Sequence, residues 1–212
     1  MTQAKICGLS TPEAVSAALE GGAAFLGFVF FPASPRAVSA EDAARLAAPA
    51  RGRAKLVALL VDPDDALVDL VTARLAPDLI QLHGKETPAR AGEIGRRTGR
   101  GIIKALPVSE SGDLAAAAAY QGVVDHLMFD AKPPKDASRP GGLGASFDWD
   151  LLTGRRFARP WFLAGGLDPW NVAEAVRRSG APLVDVSSGV ERGAGLKDPL
   201  LVSAFLDAVR RA

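Results

Sequence analysis

The sequence predicts an α/β fold: a single-domain (β/α)8 or TIM barrel with a shortened sixth helix. Three observations indicate this fold. Eight short apolar runs recur along the chain, helix-like segments alternate with them, and the composition does not change between the two ends. Continuous apolar runs are typical of parallel strands covered on both faces. Right-handed crossovers around a closed sheet leave few other arrangements, although a doubly wound open sheet has the same alternation and stays an alternative.

The eight predicted strands are short and consist largely of aliphatic and aromatic residues. They cover residues 4–9, 25–31, 55–61, 79–82, 102–107, 126–130, 161–164 and 183–186. Several of them end in small or polar residues. A barrel of this type carries its active site at the carboxyl ends of its strands, so these ends are where functional side chains are expected.

The segments between the strands have the caps and the spacing of amphipathic helices. In the first helix Thr11 is the predicted N-cap and Pro12 lies in the first turn. The same design predicts that Asp168 caps the helix after strand seven. Further helices are predicted at 40–48, 63–75, 88–98, 110–120 and within 198–212. After the sixth strand the helix shrinks to 147–152, behind a loop rich in Pro, Lys and Gly.

The composition indicates one globular domain over residues 1–212. Hydrophobic residues make up 48% of the chain, and 25 Lys and Arg against 24 Asp and Glu leave a net charge of +1. Such a balance predicts no nucleic-acid partner and no attraction to a membrane surface. No apolar run approaches the about 20 residues that span a bilayer. One cysteine and the absence of a signal-like start predict a reducing cytoplasm. Two histidines predict no histidine-rich metal site.

Polar or reactive side chains follow several of the predicted strands. Cys7 ends the first strand, Arg36 follows the second, Gln81 and His83 end the fourth, and Asp130 ends the sixth. Each also has a structural interpretation. Cys7 would be a small core residue and Arg36 a solvated surface arginine. Gln81 and His83 would fill space with their hydrogen bonds satisfied, and Asp130 would cap the next segment. The planar guanidinium of Arg36 would suit a carboxylate. An aspartate at the end of a buried strand is costly without a partner, which favours a function for Asp130.

The seventh and eighth strands end in small residues that indicate a phosphate site. Gly165 and Gly166 follow the seventh strand, and Ser187, Ser188 and Gly189 follow the eighth. Small residues allow backbone N–H groups to approach an anion closely. The loops after these two strands are the usual phosphate position in TIM barrels. We therefore expect one phosphate cradle formed by both strand ends.

The motifs KICG, SPR, QLHG, FDW, LAGGL and SSGVE occur in this order over essentially the whole chain. Together they resemble the phosphoribosylanthranilate isomerase family of tryptophan biosynthesis. The resemblance implies a (β/α)8 barrel that converts N-(5-phosphoribosyl)anthranilate to 1-(2-carboxyphenylamino)-1-deoxyribulose 5-phosphate. This Amadori rearrangement uses neither metal nor cofactor in that family, so none is expected here.

The resemblance also implies a role for each matching residue. Cys7 would be the general base and Asp130 the general acid. Arg36 would bind the anthranilate carboxylate, and Asp185 would contact the substrate amine. The remaining expected substrate-binding residues are Gln81, His83, Gly165, Gly166, Ser187, Ser188 and Gly189.

Three details are left open by the sequence. Lys5 lies two residues before Cys7 on the same face, where it would either lower the pKa of the thiol or fill the barrel interior. Leu143 stands where a hydroxyl residue is expected in the family. The glycine-containing loop 132–146 could act as a lid that excludes water.

Two other functions compete with the isomerase. Other phosphate-binding barrels, such as indoleglycerol-phosphate synthase or the sugar-phosphate epimerases, would need a catalytic lysine with glutamates or a metal site. A non-catalytic binding module would not need a base and an acid at the two strand ends that carry Cys7 and Asp130. The expected partner is a small phosphorylated substrate, and the ordinary amphipathic helices favour a monomer.

Overall fold

The structure is a computed structural model that describes residues 1–133, 141–142 and 144–212. Eight parallel strands form a closed barrel in which each strand pairs with its sequence neighbour and the first pairs with the last. The strands are β1 (Gln3–Cys7), β2 (Phe25–Val29), β3 (Lys55–Leu60), β4 (Leu79–Leu82), β5 (Gly101–Val108), β6 (His126–Ala131), β7 (Trp161–Leu163) and β8 (Leu183–Val186). The predicted barrel is confirmed, and the open-sheet alternative is wrong.

Seven α-helices lie outside the barrel in the part of the chain that the structure describes. They are α1 (Pro12–Glu20), α2 (Ala40–Ala47), α3 (Asp65–Leu75), α4 (Pro88–Thr98), α5 (Ala117–Tyr120), α6 (Val172–Ser179) and α7 (Pro199–Arg210). Thr11 caps α1 as predicted, since its hydroxyl accepts a hydrogen bond from the backbone N–H of Ala14. None of the described helices combines the length and the apolar character that spanning a bilayer requires.

Two helices differ from their prediction. In the fifth interval most of the predicted helix is a 3-10 helix, Ser111–Ala116, and only α5 is α-helical. This segment is a run of alanines in which only Leu114 and Ala117 are buried, so it offers little apolar surface for packing. In the sixth interval the short predicted helix is a 3-10 helix, Trp149–Leu152.

The predicted cap of α6 is also wrong. The Asp168 carboxylate accepts hydrogen bonds from the backbone N–H groups of Trp170 and Asn171, at 2.8 and 2.9 Å. These contacts close a separate turn ahead of the helix, because a short carboxylate side chain competes for nearby backbone donors. The helix consequently begins four residues later, at Val172.

The core has two layers separated by the barrel wall. Successive strand residues point alternately inward and outward. Outward residues such as Ile6, Leu26 and Phe28 pack against the helices. Inward residues such as Phe25, Met128 and Phe162 fill the barrel near its amino end. The same alternation points Lys5, Cys7, His83, Asp130 and Asp185 inward near the carboxyl end, so strand parity itself brings the predicted chemistry together.

His126 lies at the start of β6, at the opposite end of the barrel from these residues. Its ring packs against Phe25 and Phe162, with centroid distances of 6.2 and 5.7 Å. Burial lowers the pKa of His126. These contacts place His126 in the apolar packing at the amino end of the barrel, away from the cleft residues.

Helix α7 offers a test of the outer core layer. Phe205 is fully buried against the barrel, whereas Leu200 on the same helix is 80% exposed. We expect Phe205→Ala to lower the free energy of unfolding by about 3–5 kcal/mol, because it removes a large buried ring and leaves a cavity. Leu200→Ala is the matched control, with an expected change within about 0.5 kcal/mol. Urea denaturation followed by circular dichroism measures both, and equal midpoints would contradict the assigned packing.

Candidate active site

A cleft opens at the carboxyl ends of the strands, with a volume of about 800 Å³ that includes its open mouth. Most of the predicted site residues line it: Cys7, Arg36, His83, Asp130, Gly165, Gly166, Asp185, Ser187 and Ser188. Gln81 lies fully buried beneath the cleft, and Gly189 packs against the loop at Leu167. The structure thus brings together residues from six different strand ends.

Cys7 shares the barrel interior with a buried ion pair. Lys5 Nζ donates a hydrogen bond of 2.8 Å to Asp185 Oδ1, a contact made possible because Lys5 is the register partner of Asp185 across β1 and β8. Gly27 lies opposite Cys7 on β2. A Cβ at Gly27 would stand 3.1 Å from Lys5 Nζ and 3.2 Å from Cys7 Sγ. The absent side chain therefore leaves the space in which the ammonium approaches the thiol.

These neighbours set the protonation of Cys7 and Lys5. Burial raises the pKa of the Cys7 thiol, the Lys5 charge opposes that rise, and Asp185 adds to it. Burial disfavours the charged form of Lys5, but Asp185 and Cys7 outweigh it and hold the pKa of Lys5 above its ordinary value. Lys5 is therefore a charged group beside Cys7, and it also fills the interior.

Asp130 is the end of a hydrogen-bonded chain across the barrel. Its Oδ2 lies 3.0 Å from Nε2 of His83, and Nδ1 of His83 lies 2.9 Å from Nε2 of Gln81. Because the Gln81 amide nitrogen is a donor, Nδ1 of His83 is the accepting nitrogen, and Nε2 is the nitrogen that donates toward Asp130. The other oxygen, Oδ1, accepts from the backbone N–H of Ala131 at 2.9 Å. Gln81 and His83 thereby fix the direction of the Asp130 carboxyl.

The loop that carries His83 is held by a buried ion pair that sequence reasoning did not single out. Lys104 points outward from β5 and lies 2.7 Å from Glu86 Oε2 and 2.7 Å from the carbonyl of Gly84. Glu86 also accepts from the backbone N–H groups of Asp62 and Gly84. Since buried charges are retained only with partners, this pair anchors the chain immediately after His83.

Arg36 is buried and is already engaged by a carboxylate. Its Nε and Nη2 donate to Oε1 and Oε2 of Glu191 at 2.7 and 2.9 Å, and Nη2 also approaches the carbonyl of Gly142 at 3.3 Å. Nη1 lies 2.6 Å from the point where a Cβ at Gly142 would stand. From the sequence Glu191 was noted only as the last residue of the SSGVE motif. Nothing in the neighbouring sequence indicated that it would contact Arg36.

At the ends of β7 and β8, where phosphate is predicted to bind, three glycines have a backbone conformation or a close contact that disfavours a side chain. Gly165 and Gly166 have φ values of +86° and +65°, and a Cβ at Gly165 would meet the backbone nitrogen of Ala131 at 2.6 Å. A Cβ at Gly189 would stand 1.9 Å from the carbonyl oxygen of Leu167. A 3-10 turn begins at Ser188, so its first N–H groups have no acceptor within the turn. The two strand ends therefore present backbone donors side by side, as an anion site requires.

Two sequence-based expectations concern the loop after β6. Leu143 and residues 134–140 of the suggested lid, 132–146, lie outside the described residues. Pro133, Gly141, Gly142 and Gly144 of that loop line the cleft. Among the described residues no three His, Cys, Asp or Glu side chains gather as metal ligands.

Comparison with known proteins agrees with this geometry. The family model for N-(5'-phosphoribosyl)anthranilate (PRA) isomerase matches residues 4–208. The N-(5'-phosphoribosyl)anthranilate isomerase of Caulobacter vibrioides is 67% identical over 210 residues, covering 99% of this chain and 96% of that protein.

Solved structures give the same result. The crystal structure of phosphoribosyl anthranilate isomerase from Thermotoga maritima has a TM-score of 0.89 at 32% identity, over 100% of both chains. A phosphoribosyl anthranilate isomerase in complex with reduced 1-(o-carboxyphenylamino)-1-deoxyribulose 5-phosphate has a TM-score of 0.86 at 31% identity, also over 100% of both chains. These matches decide against the other phosphate-binding barrel enzymes and the binding module considered from the sequence. The chain belongs to the N-(5'-phosphoribosyl)anthranilate isomerase family and is an isomerase of tryptophan biosynthesis.

Proposed function

We propose that this chain isomerises N-(5'-phosphoribosyl)anthranilate by general acid–base catalysis, with Asp130 as the acid and Cys7 as the base. The observation that carries the proposal is their placement. Both side chains line one cleft, and they lie on strands β6 and β1, which are separated by β7 and β8 around the closed barrel. A substrate in the cleft would have the acid and the base on different sides.

In the first step Asp130 protonates the furanose ring oxygen. The C1–O bond then breaks, and the nitrogen lone pair forms a C1=N iminium. The hydrogen bonds from His83 and from the backbone of Ala131 hold the carboxyl in place. An acid that is held within reach of the leaving oxygen contributes typically about 10²–10⁴ in rate.

In the second step the Cys7 thiolate removes the proton from C2, which the iminium has made acidic. The electron pair moves into the C1–C2 bond and neutralises the iminium, giving an enolamine that tautomerises to the ketone. The charge of Lys5 beside Cys7 favours the thiolate. This supports a tuning role for Lys5 in addition to its packing.

The reaction so written is an intramolecular oxidation and reduction. C2 is oxidised from alcohol to ketone while C1 is reduced from the aldehyde level to the amine level, so no external oxidant is required. The iminium is itself the electron sink. We therefore propose a metal-independent and cofactor-independent aldose–ketose isomerase.

The rest of the cleft binds the two ends of the substrate. Arg36 would pair with the anthranilate carboxylate, and Asp185 would contact the amine nitrogen. The phosphate would lie at the ends of β7 and β8, on backbone donors of Gly166 and Ser188. The small-molecule substrate is supported by the relative solved with a phosphorylated ligand.

Three further expectations from the sequence stay proposals. The whole chain, 1–212, forms one catalytic domain, since its first and last strands pair and close the barrel. It is a monomer, although a Thermotoga maritima relative is described as dimeric. It acts in the cytoplasm.

The acid–base assignment predicts the effect of two isosteric changes. Cys7→Ser and Asp130→Asn should each lower kcat by at least about 10², because each removes one proton-transfer group. The loss of anthranilate fluorescence with freshly generated substrate, in EDTA, measures the rate. Asp150→Asn, at an aspartate whose side chain is 59% exposed and does not line the cleft, is the control and should retain wild-type kcat. An undamaged Cys7→Ser enzyme would remove Cys7 as the base.

The position of Lys5 predicts a shift in the titration of Cys7. The pKa of the free enzyme's thiol lies above its ordinary value because of burial, and Lys5 opposes that shift. Lys5→Met should therefore raise the pKa further, which lowers the thiolate fraction at neutral pH and moves the alkaline rise of kcat/KM to higher pH. Since Cys7 is the chain's one cysteine, thiolate absorbance at 240 nm reports it alone once a Cys7→Ser blank is subtracted. An unchanged midpoint would mean that Lys5 only fills space.

A further inference from the structure

A small hairpin after β8 places two buried charges beside Arg36. Its strands, β9 (Glu191–Gly193) and β10 (Leu196–Lys197), are antiparallel, and Lys197 is the register partner of Glu191. Lys197 Nζ lies 2.5 Å from Glu191 Oε1 and 3.1 Å from the carbonyl oxygen of Ser187. The Lys197 side chain has no exposed surface, so its ammonium is not solvated by bulk water and depends on these protein contacts.

Glu191 is fully occupied by donors. Oε1 accepts from Arg36 and Lys197, and Oε2 accepts from Arg36 and from the backbone N–H of Gly195. Gly195 is packed so closely against the loop that carries Arg36 that a Cβ would stand 2.4 Å from the carbonyl oxygen of Pro35. The hairpin and the Arg36 loop therefore form one rigid unit.

The orientation of Arg36 follows from this contact. Glu191 binds the Nε–Nη2 edge of the guanidinium, and no described residue accepts a hydrogen bond from Nη1. Arg36 lines the cleft. Glu191 therefore leaves the Nη1 edge, which faces Gly142 of the cleft lining, as the edge for a ligand.

The charges decide whether such an edge can attract an anion. Arg36 and Glu191 alone are a neutral pair, and the negative charge of Glu191 would repel the carboxylate of a ligand. Lys197 adds a positive charge on the same carboxylate oxygen, so the three residues together carry a net charge of +1. Burying three charges is costly compared with apolar packing, and a hairpin that served only as a cover would not need them.

We propose that Lys197 and Glu191 are positioning residues that make Arg36 a carboxylate receptor. Glu191 fixes the direction of the guanidinium, and Lys197 neutralises Glu191 so that the field of Arg36 reaches the cleft. The inference deepens the proposed function, because it rests on Arg36 as the site of the anthranilate carboxylate.

The protonation of the group is consistent with this arrangement. Burial alone would raise the pKa of Glu191, but Arg36 and Lys197 reverse the effect and hold it below its ordinary value. Burial lowers the pKa of Lys197, and the pairing with Glu191 opposes that shift.

The test compares two ligands by isothermal titration calorimetry. One is reduced 1-(o-carboxyphenylamino)-1-deoxyribulose 5-phosphate, and the other is the same compound with a phenyl ring that lacks the carboxylate. The measured quantity is the Kd of the phenyl compound divided by the Kd of the carboxyphenyl compound, called the carboxylate ratio below. The phenyl compound also reports whether each variant still folds and binds phosphate.

Lys197→Met should lower the carboxylate ratio by about tenfold, because the neutral pair no longer attracts the carboxylate. The Kd of the phenyl compound should stay within about twofold of wild type. Lys55→Met, which removes a lysine whose side chain is 62% exposed, is the matched control and should leave the ratio unchanged.

A double variant separates charge from packing. Glu191→Gln combined with Lys197→Met again leaves a net charge of +1 on the group, and it should return the carboxylate ratio to within about threefold of wild type. A structural role would predict the opposite, since the double variant removes more of the hairpin's contacts than the single one.

Several results would overturn the inference. An unchanged ratio in Lys197→Met, an equal loss of affinity for both ligands, or no recovery in the double variant would each do so. Arg36→Met distinguishes this failure from that of the proposed function. If Arg36→Met collapses the ratio while Lys197→Met does not, only the inference fails. If Arg36→Met leaves the ratio unchanged, the carboxylate is not bound at Arg36 and both fail.

Discussion

Hydrogen bonding between β1 and β8 closes the sheet, and the cleft depends on that closure. In an open sheet these two strands would lie at opposite edges, and the register pairing of Lys5 with Asp185 would not exist. Lys5 would then lack the carboxylate whose charge helps to keep it protonated beside Cys7. The ends of β7 and β8 would also lose their place beside Cys7, since Ser187 reaches the carbonyl of Cys7 only across this seam, at 3.2 Å.

Among the described residues, buried lysine and arginine side chains form ion pairs or a triplet with carboxylates at three places. Lys5 with Asp185 lies inside the wall, Lys104 with Glu86 lies outside it, and the Arg36 group lies above it. Such pairs are weak sources of stability because desolvation offsets their attraction. What they have in common is that each fixes an orientation: that of Lys5 beside Cys7, that of the loop after His83, and that of the Arg36 guanidinium. The stability of the molecule comes instead from the two apolar layers on either side of the barrel wall.

The fold and much of the site could be predicted from the sequence because both depend on local patterns. Apolar runs predict the strands. Side chains alternate between the two faces of a strand, and active sites of such barrels lie at the carboxyl ends of the strands, so Cys7 and Asp130 are predicted to share a cleft. Glu191 and Lys197 could not be predicted, because their meeting with Arg36 depends on hairpin register and on contacts across more than 150 residues of chain. The predicted start of α6 was wrong for a related reason. The Asp168 carboxylate binds the backbone N–H groups of Trp170 and Asn171, and the turn so formed replaces the first turn of the predicted helix. Local signals predict elements, and distant pairings require the folded chain.

The residues of the cleft differ in what supports them. Cys7 and Asp130 belong to β1 and β6, so their positions are fixed by the hydrogen bonds of the barrel itself. Arg36, Glu191 and Lys197 belong to a loop and a hairpin that the barrel does not need for closure. Variation in such peripheral segments is tolerated far better than variation in the sheet. Under the proposed roles, changes in the hairpin would therefore alter which substituent on the sugar nitrogen is accepted, while the strands that carry the acid and the base keep their positions.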